Sequence, residues 1–194
     1  SLNIKQGTPS DIQQMVSEGK VDFAITPELP ETVEELRNIP CFRWHYGLIV
    51  PNDHPLLDHK GALTLPLITQ YPLITYEFAF NQGTNIVRAF HKADIPPPNA
   101  ALSVADNDVL KTYVKLGLGI GIMAKAAYEP KTDSDLTLID ISQLIEPCHS
   151  GLLFRPDSYL RGYIYDFIGL FNPSLTKERL DQLLYAPVIE DFSI

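Results

Sequence analysis

KTYVKLGLGIGIMA, residues 111–124, sets Gly117, Gly119 and Gly121 at alternate positions within an apolar run. Phosphate-cradling glycine loops run strand, loop, helix, so that the phosphate meets free N–H groups and the positive dipole end at a helix N-terminus. Here the order is reversed. A helical pattern opens near Asp106 or Asn107, Gly117 falls where a left-handed C-cap is wanted, and LGIGIM continues as a strand. Alternation then puts Gly119 and Gly121 on one face and Leu118, Ile120 and Ile122 on the other. The glycines predict something packed closely against bare backbone, and not a nucleotide site.

The same alternation of helix and strand extends outward from this point. Leu2 and Ile4 alternate with Asn3 and Lys5, predicting a strand, and QGTPSDIQQMVSEGK changes to helical spacing through Ile12, Met15 and Val16. Thr8 sits at the N-cap, Pro9 at the first helical position, Asp11 three residues after the cap and Gly19 at the stop. With VDFAIT as the next strand, residues 1–26 predict a right-handed βαβ unit with parallel strands. IPCFRWHYGLIV, residues 39–50, reads as a strand run, TLPLITQ as one helical turn capped by Thr64, and YPLITYEF as a strand. A short helix carries Ile86, Val87 and Phe90; ALSV, LTLID and GLLF are further strands. A helix from about Tyr159 to Phe171 sets Leu160, Tyr163, Ile164, Phe167 and Phe171 on one face, and a last one carries Leu180, Leu183 and Leu184. Alternating strands and helices predict an α/β architecture.

With 194 residues, 45% of them apolar, the chain can bury a substantial core, and no run approaches the roughly 20 apolar residues of a membrane helix. A net charge of −9 argues against these residues gripping a phosphate backbone. Cys41 and Cys148 fit no metal-type spacing and read as two buried thiols. The start SLNIKQGTPSD carries no export signal, so a reducing, cytoplasmic location is expected.

No catalytic motif stands out, and the histidines show no ligand pairing; His54 and His59 sit among turn residues and are expected to be exposed. TYEFAFNQGTN, residues 75–85, interleaves Tyr76, Phe78 and Phe80 with Thr75, Asn81, Gln82 and Thr84. That mixture suits either a small-molecule pocket or one face of a core strand. Thr8 reads as a helix cap that could also serve an anion site; Asn107 stands in the same way at the later helix start, whereas Asp108 there would oppose an anionic ligand and is explained by the helix dipole.

These residues also carry a family resemblance. QGTPSDIQQMVSEGKVDFAI resembles the G-[ST]-x-x-x-[ILV]-x-x-x-[ILMV]-x-x-G-x-[ALV]-D-x-[AG]-I stretch of the effector-binding domains of LysR-type transcriptional regulators. VPNDHPL, QYPLITY and DVLKTYVKLGLGIGIMA are similar to the same domain in the same order, and KTYVKLGLGIG and SYLRGYIYDFI point to its CysB-like subgroup. The resemblance implies two Rossmann-like lobes like those of type II periplasmic binding proteins, with a ligand cleft between them. Lobe I would comprise residues 1–73 and 149–194, and lobe II residues 74–148. It further implies that the usual first strand and helix of lobe I, with a T-x-T-Q loop, are missing from this stretch.

By the same resemblance the chain would be no enzyme but the inducer-binding part of a regulator of sulfur assimilation and cysteine biosynthesis. It would sense O-acetylserine or N-acetylserine, sulfate or thiosulfate, associate as a dimer or tetramer, and reach DNA only through an N-terminal winged helix-turn-helix outside these residues. A transporter's solute-binding protein of the same fold is the alternative. Effector contacts carried over by resemblance fall at Thr8, Thr26, Pro27, Glu28, Thr75, Tyr76, Asn81 and Gln82. Pro27 and Asn81 stand where close relatives often have threonines.

Overall fold

The computed structural model describes residues 3–28, 36–156 and 158–185. The chain divides into two units, residues 1–42 with 150–194, and residues 43–149.

In the first unit, α1 (Pro9–Ser17) precedes the short strand β1 (Ala24–Thr26), and β2 (Arg37–Trp44) runs to the division. After the second unit, β8 (Cys148–Phe154) returns, followed by α5 (Gly162–Phe171) and α6 (Lys177–Tyr185). These strands form a three-stranded sheet in the order β1-β8-β2. Successive residues of β8 face opposite sides. Leu152 and Phe154 join Ile39, Leu160, Ile164, Ile168, Leu180 and Leu184 beneath α5 and α6, whereas Leu153 joins Val16, Ala24 and Leu36 beneath α1. One strand therefore serves two core layers.

Thr8 makes a full capping box with Asp11, as its spacing predicts. At the other end Gly19 takes φ +69° and the Lys20 N–H reaches back to the Met15 carbonyl at 2.9 Å, closing a Schellman turn. The Arg155 guanidinium lies against Gly19, where a Cβ would stand 2.1 Å from Nη1, and donates to the Val16 carbonyl at 3.4 Å.

The predicted parallel βαβ unit is corrected on two counts. Residues 3–8 form no strand, and β1 pairs antiparallel with β8, Ala24 opposite Leu153 and Thr26 opposite Gly151. Alternation marks a strand only where a neighbour takes up its N–H and C=O groups. Ile4, 72% exposed, is covered by none. The α5 face also shifts: Leu160, Ile164 and Ile168 are buried while Tyr163 points outward.

The second unit holds β3 (Tyr46–Pro51), a 3₁₀ turn over Pro55–Asp58, α2 (Leu65–Ile68), β4 (Leu73–Tyr76), α3 (Asn85–Lys92), β5 (Leu102–Val104), α4 (Asn107–Lys115), β6 (Ile120–Ala124) and β7 (Leu136–Asp140). Its five strands run β5-β4-β6-β3-β7. β4 is parallel to β5 and β6, and β3 is antiparallel to β6 and β7. Tyr46 to Val50 are all buried, so β3 is an interior strand with partners on both edges. That placement brings the unit boundary to residues 42–43, inside the 1–73 span expected for lobe I. The run 39–50, read as one strand, is accordingly two, broken at His45.

The glycines that open the sequence argument fall as their order predicts. α4 ends at Gly117 (φ +72°), with the Leu118 N–H bonded to the Tyr113 carbonyl at 3.1 Å. A Cβ on Gly119 would lie 2.4 Å from the Pro72 carbonyl oxygen, and one on Gly121 would lie 2.6 Å from Leu110 and 2.7 Å from Ile49. Backbone approaches the first and α4 with β3 the second, so both must stay bare.

Candidate functional site

The chain leaves β4, forms α3, adds β5 on one side, then crosses through α4 to β6 on the other side of β4. Crossovers departing in opposite directions from neighbouring parallel strands open a crevice at their carboxyl ends, where ligands of open α/β sheets bind. In this unit that place lies between the ends of β4 and β6.

Tyr76, the last residue of β4, stands there. Its hydroxyl donates to Asn107 Oδ1 at 2.5 Å and accepts from the Ala124 N–H at 2.9 Å, tying the start of α4 to the end of β6. Its ring stacks on Phe78 with centroids 5.2 Å apart and planes 4° from parallel. Burial pushes the phenol's pKa up, against the opposing effect of the Ala124 N–H, so Tyr76 stays neutral across the physiological range. Both hydrogen-bonding capacities of the hydroxyl are engaged, which makes Tyr76 a spacer that orients Asn107 rather than a free donor.

Thr75 is fully buried, and its hydroxyl donates to the Ile122 carbonyl at 2.8 Å. It pins β4 to β6. Between β4 and α3 the loop folds through successive turns, the Asn81 N–H bonding the Phe78 carbonyl and the Thr84 N–H the Asn81 carbonyl. The Thr84 hydroxyl donates to the Ala79 carbonyl at 2.6 Å and caps α3 by accepting from the Val87 N–H at 3.4 Å. Gly83 takes φ +85° with open space about it. This arrangement leaves Asn81 and Gln82 exposed in the loop that follows β4. Asp106 caps α4 by accepting from the Val109 N–H at 2.9 Å.

In the first unit, Thr26 is buried at the end of β1 and donates to the Glu28 carbonyl at 2.9 Å, closing a turn over the exposed Pro27. Thr8 is exposed, but its hydroxyl donates to Asp11 Oδ2 at 2.7 Å. The structure thus brings Tyr76 and Asn107 into direct contact in the second unit, with Asn81 and Gln82 on the following loop, and sets Thr26, Pro27 and Glu28 in one turn of the first.

His54 corrects the sequence expectation of exposure. Half-buried against Tyr71, with ring centroids 4.7 Å apart, it caps the 3₁₀ turn by accepting from the Leu56 N–H at Nδ1, 3.2 Å away. Of the two cysteines, Cys148 is buried and Cys41 half-buried, with burial raising the Cys41 thiol's pKa.

Sequence reading missed two anchors. Asn85, 7% exposed at the first position of α3, donates to the Glu146 and Pro147 carbonyls. Lys111 of α4 meets Asp133 at 2.7 Å with both side chains nearly buried. Partners so far apart in sequence leave no spacing signal.

Among the described residues no group of three or more His, Cys, Asp and Glu side chains could hold a metal ion. The second unit thus sets neutral hydrogen-bonding groups and an aromatic stack at the ends of parallel strands of an α/β sheet. The family profile described as LysR substrate binding domain matches residues 1–175, and the chain belongs to that family. Its two α/β units agree with the family's two-lobed, periplasmic-binding-protein-like fold.

The HTH-type transcriptional regulator CysB of Haemophilus influenzae is 42% identical over 182 residues, which are 94% of this chain and 55% of the relative. SsuR of Burkholderia cenocepacia is 37% identical, covering 96% of this chain and 60% of its own. The chain thus spans a little over half the length of these curated relatives. Among solved structures, the cofactor-binding domain of the Cbl transcriptional regulator is similar at TM-score 0.77 and 34% identity, over 93% of this chain and 78% of that one. The effector-binding domain of QuiR in complex with shikimate shares the fold at TM-score 0.69 and 18% identity, over 88% of this chain and 81% of that one. The relatives place the chain in the CysB-like subgroup.

Proposed function

We propose that this chain is the effector-binding part of a LysR-type regulator of sulfur assimilation, that it binds a small anionic or zwitterionic effector without turning it over, and that it acts on DNA through a separate winged helix-turn-helix. The observation that carries the site is the Tyr76 hydroxyl bridging Asn107 and Ala124 at the switch between β4 and β6. With Oδ1 committed to Tyr76, Asn107 offers Nδ2 to a ligand, so the ligand must present an acceptor. Gln82 and Asn81 add neutral donors from the loop tip, and Phe78 supplies an apolar wall. Neutral amides and N–H groups hold an anion without a paired cation. O-acetylserine, N-acetylserine, sulfate and thiosulfate all meet that demand.

Thr26, Pro27 and Glu28 are the first unit's candidates, and Thr8 a further one; Thr75 contributes by holding β4 in place. Self-association as a dimer or tetramer and a cytoplasmic location follow from the regulator reading. No helix among the described residues is long and apolar enough to cross a membrane.

Calorimetry with each of the four compounds tests the reading. Binding of at least one is expected, weakened about tenfold by Asn107→Ala, which is the loss of roughly 1.4 kcal/mol. O-acetylserine should survive prolonged incubation unchanged. Absence of binding by all four, or an Asn107→Ala chain that binds as well as the parent, would sink it.

A further inference from the structure

β8 begins in the second unit at Cys148 and continues into the first unit's sheet, where Gly151 to Leu153 pair with Thr26 to Ala24. Its entry is gripped by one side chain. Asn85 Nδ2 donates to the Pro147 carbonyl at 2.8 Å and the Glu146 carbonyl at 3.2 Å, and stands 3.5 Å from Cys148 Sγ. Its Oδ1 accepts from Arg88 one turn along α3, and farther along Lys92 pairs with Glu146 at the surface at 3.4 Å.

Helix formation asks no such thing of a first-turn residue, since Thr84 already provides the cap. Burying an amide side chain costs free energy unless it is hydrogen-bonded, and here Nδ2 donates to the two carbonyls that lead into β8. Immediately before Asn85 lies the 77–84 loop, and immediately after Cys148 the strand passes to the other unit. α3 and the incoming strand therefore move together or lose these bonds.

We propose that Asn85 is a positioning residue that couples the 77–84 loop to β8, so that an effector held by the loop changes the strand that carries the β1 pairing and, through it, the turn at Thr26 to Glu28. The coupling deepens the effector reading above and rests on it for the identity of the trigger.

Amide hydrogen exchange on the 194-residue chain tests the coupling without any ligand. Thr84→Ala removes the α3 cap and should speed exchange at Gly151 to Leu153 roughly fivefold, in keeping with a cap worth about 1 kcal/mol. In an Asn85→Ala background the same change should alter exchange there less than twofold. Equal acceleration in both backgrounds, or acceleration confined to α3, overturns the proposal. Asn85→Ser, smaller in demand on packing and still able to donate one bond, serves if the alanine chain does not fold, and should give an intermediate response.

A second arm adds N-acetylserine at saturation. The parent should show slowed exchange at both Asn81 to Asn85 and Gly151 to Leu153; the Asn85 variant should bind within about threefold of the parent's affinity and keep only the first. Retention of both responses in the variant counts against the coupling. Failure of the parent to bind N-acetylserine removes that compound as the effector and leaves the coupling to the ligand-free arm, which decides it.

Discussion

Asp94 takes φ +57°, the one described non-glycine residue in the left-handed region, and it closes α3 in the way Gly19 and Gly117 close α1 and α4. The Ile95 N–H reaches the Phe90 carbonyl at 3.1 Å, completing the same Schellman geometry. A side chain costs roughly 1 kcal/mol in this conformation, and a carboxylate at a helix C-terminus opposes the dipole. Asp94→Gly should therefore raise stability by about 0.5–1 kcal/mol in urea denaturation, and a loss would show that the aspartate side chain is needed where it stands. Gly19 and Gly117 were legible as stops because glycine announces the conformation; an aspartate ahead of three prolines announces only a turn. His54 was misplaced for a related reason, since PNDHP reads as an exposed turn while its burial against Tyr71 depends on a residue far along the chain. Burial holds its pKa below the ordinary imidazole value, against the opposing charge of Asp53. A depressed pKa means stability present above pH 6.5 and lost as the pH falls through the folded value. His54→Asn, which keeps a capping side chain that does not titrate, should flatten the fall in melting temperature between about pH 7 and 5; an unchanged fall would assign it to other groups.

At the scale of elements, α4 carries most of the information. Its start bears Asp106 and Asn107 and its end is Gly117, which the order of helix and strand made readable, whereas only the structure shows that its inner face is what packs on Gly121. Gly121→Ala would drive a methyl into Leu110, Ile49 and Val114 and should cost about 1–3 kcal/mol by overpacking; a neutral result would mean that α4 shifts freely. The ion pair that steadies α4 left no trace in the sequence. Asp133 meets Lys111 and accepts from the Glu129 N–H at 2.9 Å. Burial raises its pKa, but the Glu129 hydrogen bond together with Lys111 and the charge of Lys115 outweighs burial and holds it below the ordinary value. Its contribution is present above about pH 4 and lost as the pH falls through the lower folded value. Lys111→Met should cost about 3–5 kcal/mol by stranding the carboxylate, and adding Asp133→Leu should recover much of it. A single variant as stable as the parent would show the pair to be dispensable. The first strand was over-read for the opposite reason. Ile4 alternates with Asn3 and Lys5, yet alternation reports a half-buried surface only when something buries it, and Leu2 lies outside the described residues.

For the whole molecule, α/β class and family were legible, because helix caps, glycine stops and strand runs recur in a fixed order along most of the chain. The assignment of β3 was not. A fully buried strand lacks alternation, and only tertiary pairing shows that it sits between β6 and β7. The candidate site divides in the same manner: the TYEFAFNQGTN loop was visible by composition, whereas Ala124 enters through a backbone N–H, which no side chain reports. A bound effector at a hundredfold excess over its Kd should stabilise the unit that holds it by about 2.7 kcal/mol, visible as a rise in melting temperature. The central claim is that the effector lies at the strand ends of the second unit, and it is tested most directly by an NMR titration of the isotopically labelled chain with each of the four compounds. Saturable shifts centred on the amides of Glu77, Asn81 to Gly83, Asn107 and Ala124 are expected, with the Asn107 side-chain NH₂ among the largest. Shifts confined to other parts of the chain, or none at saturating concentration while the chain remains folded, would contradict it.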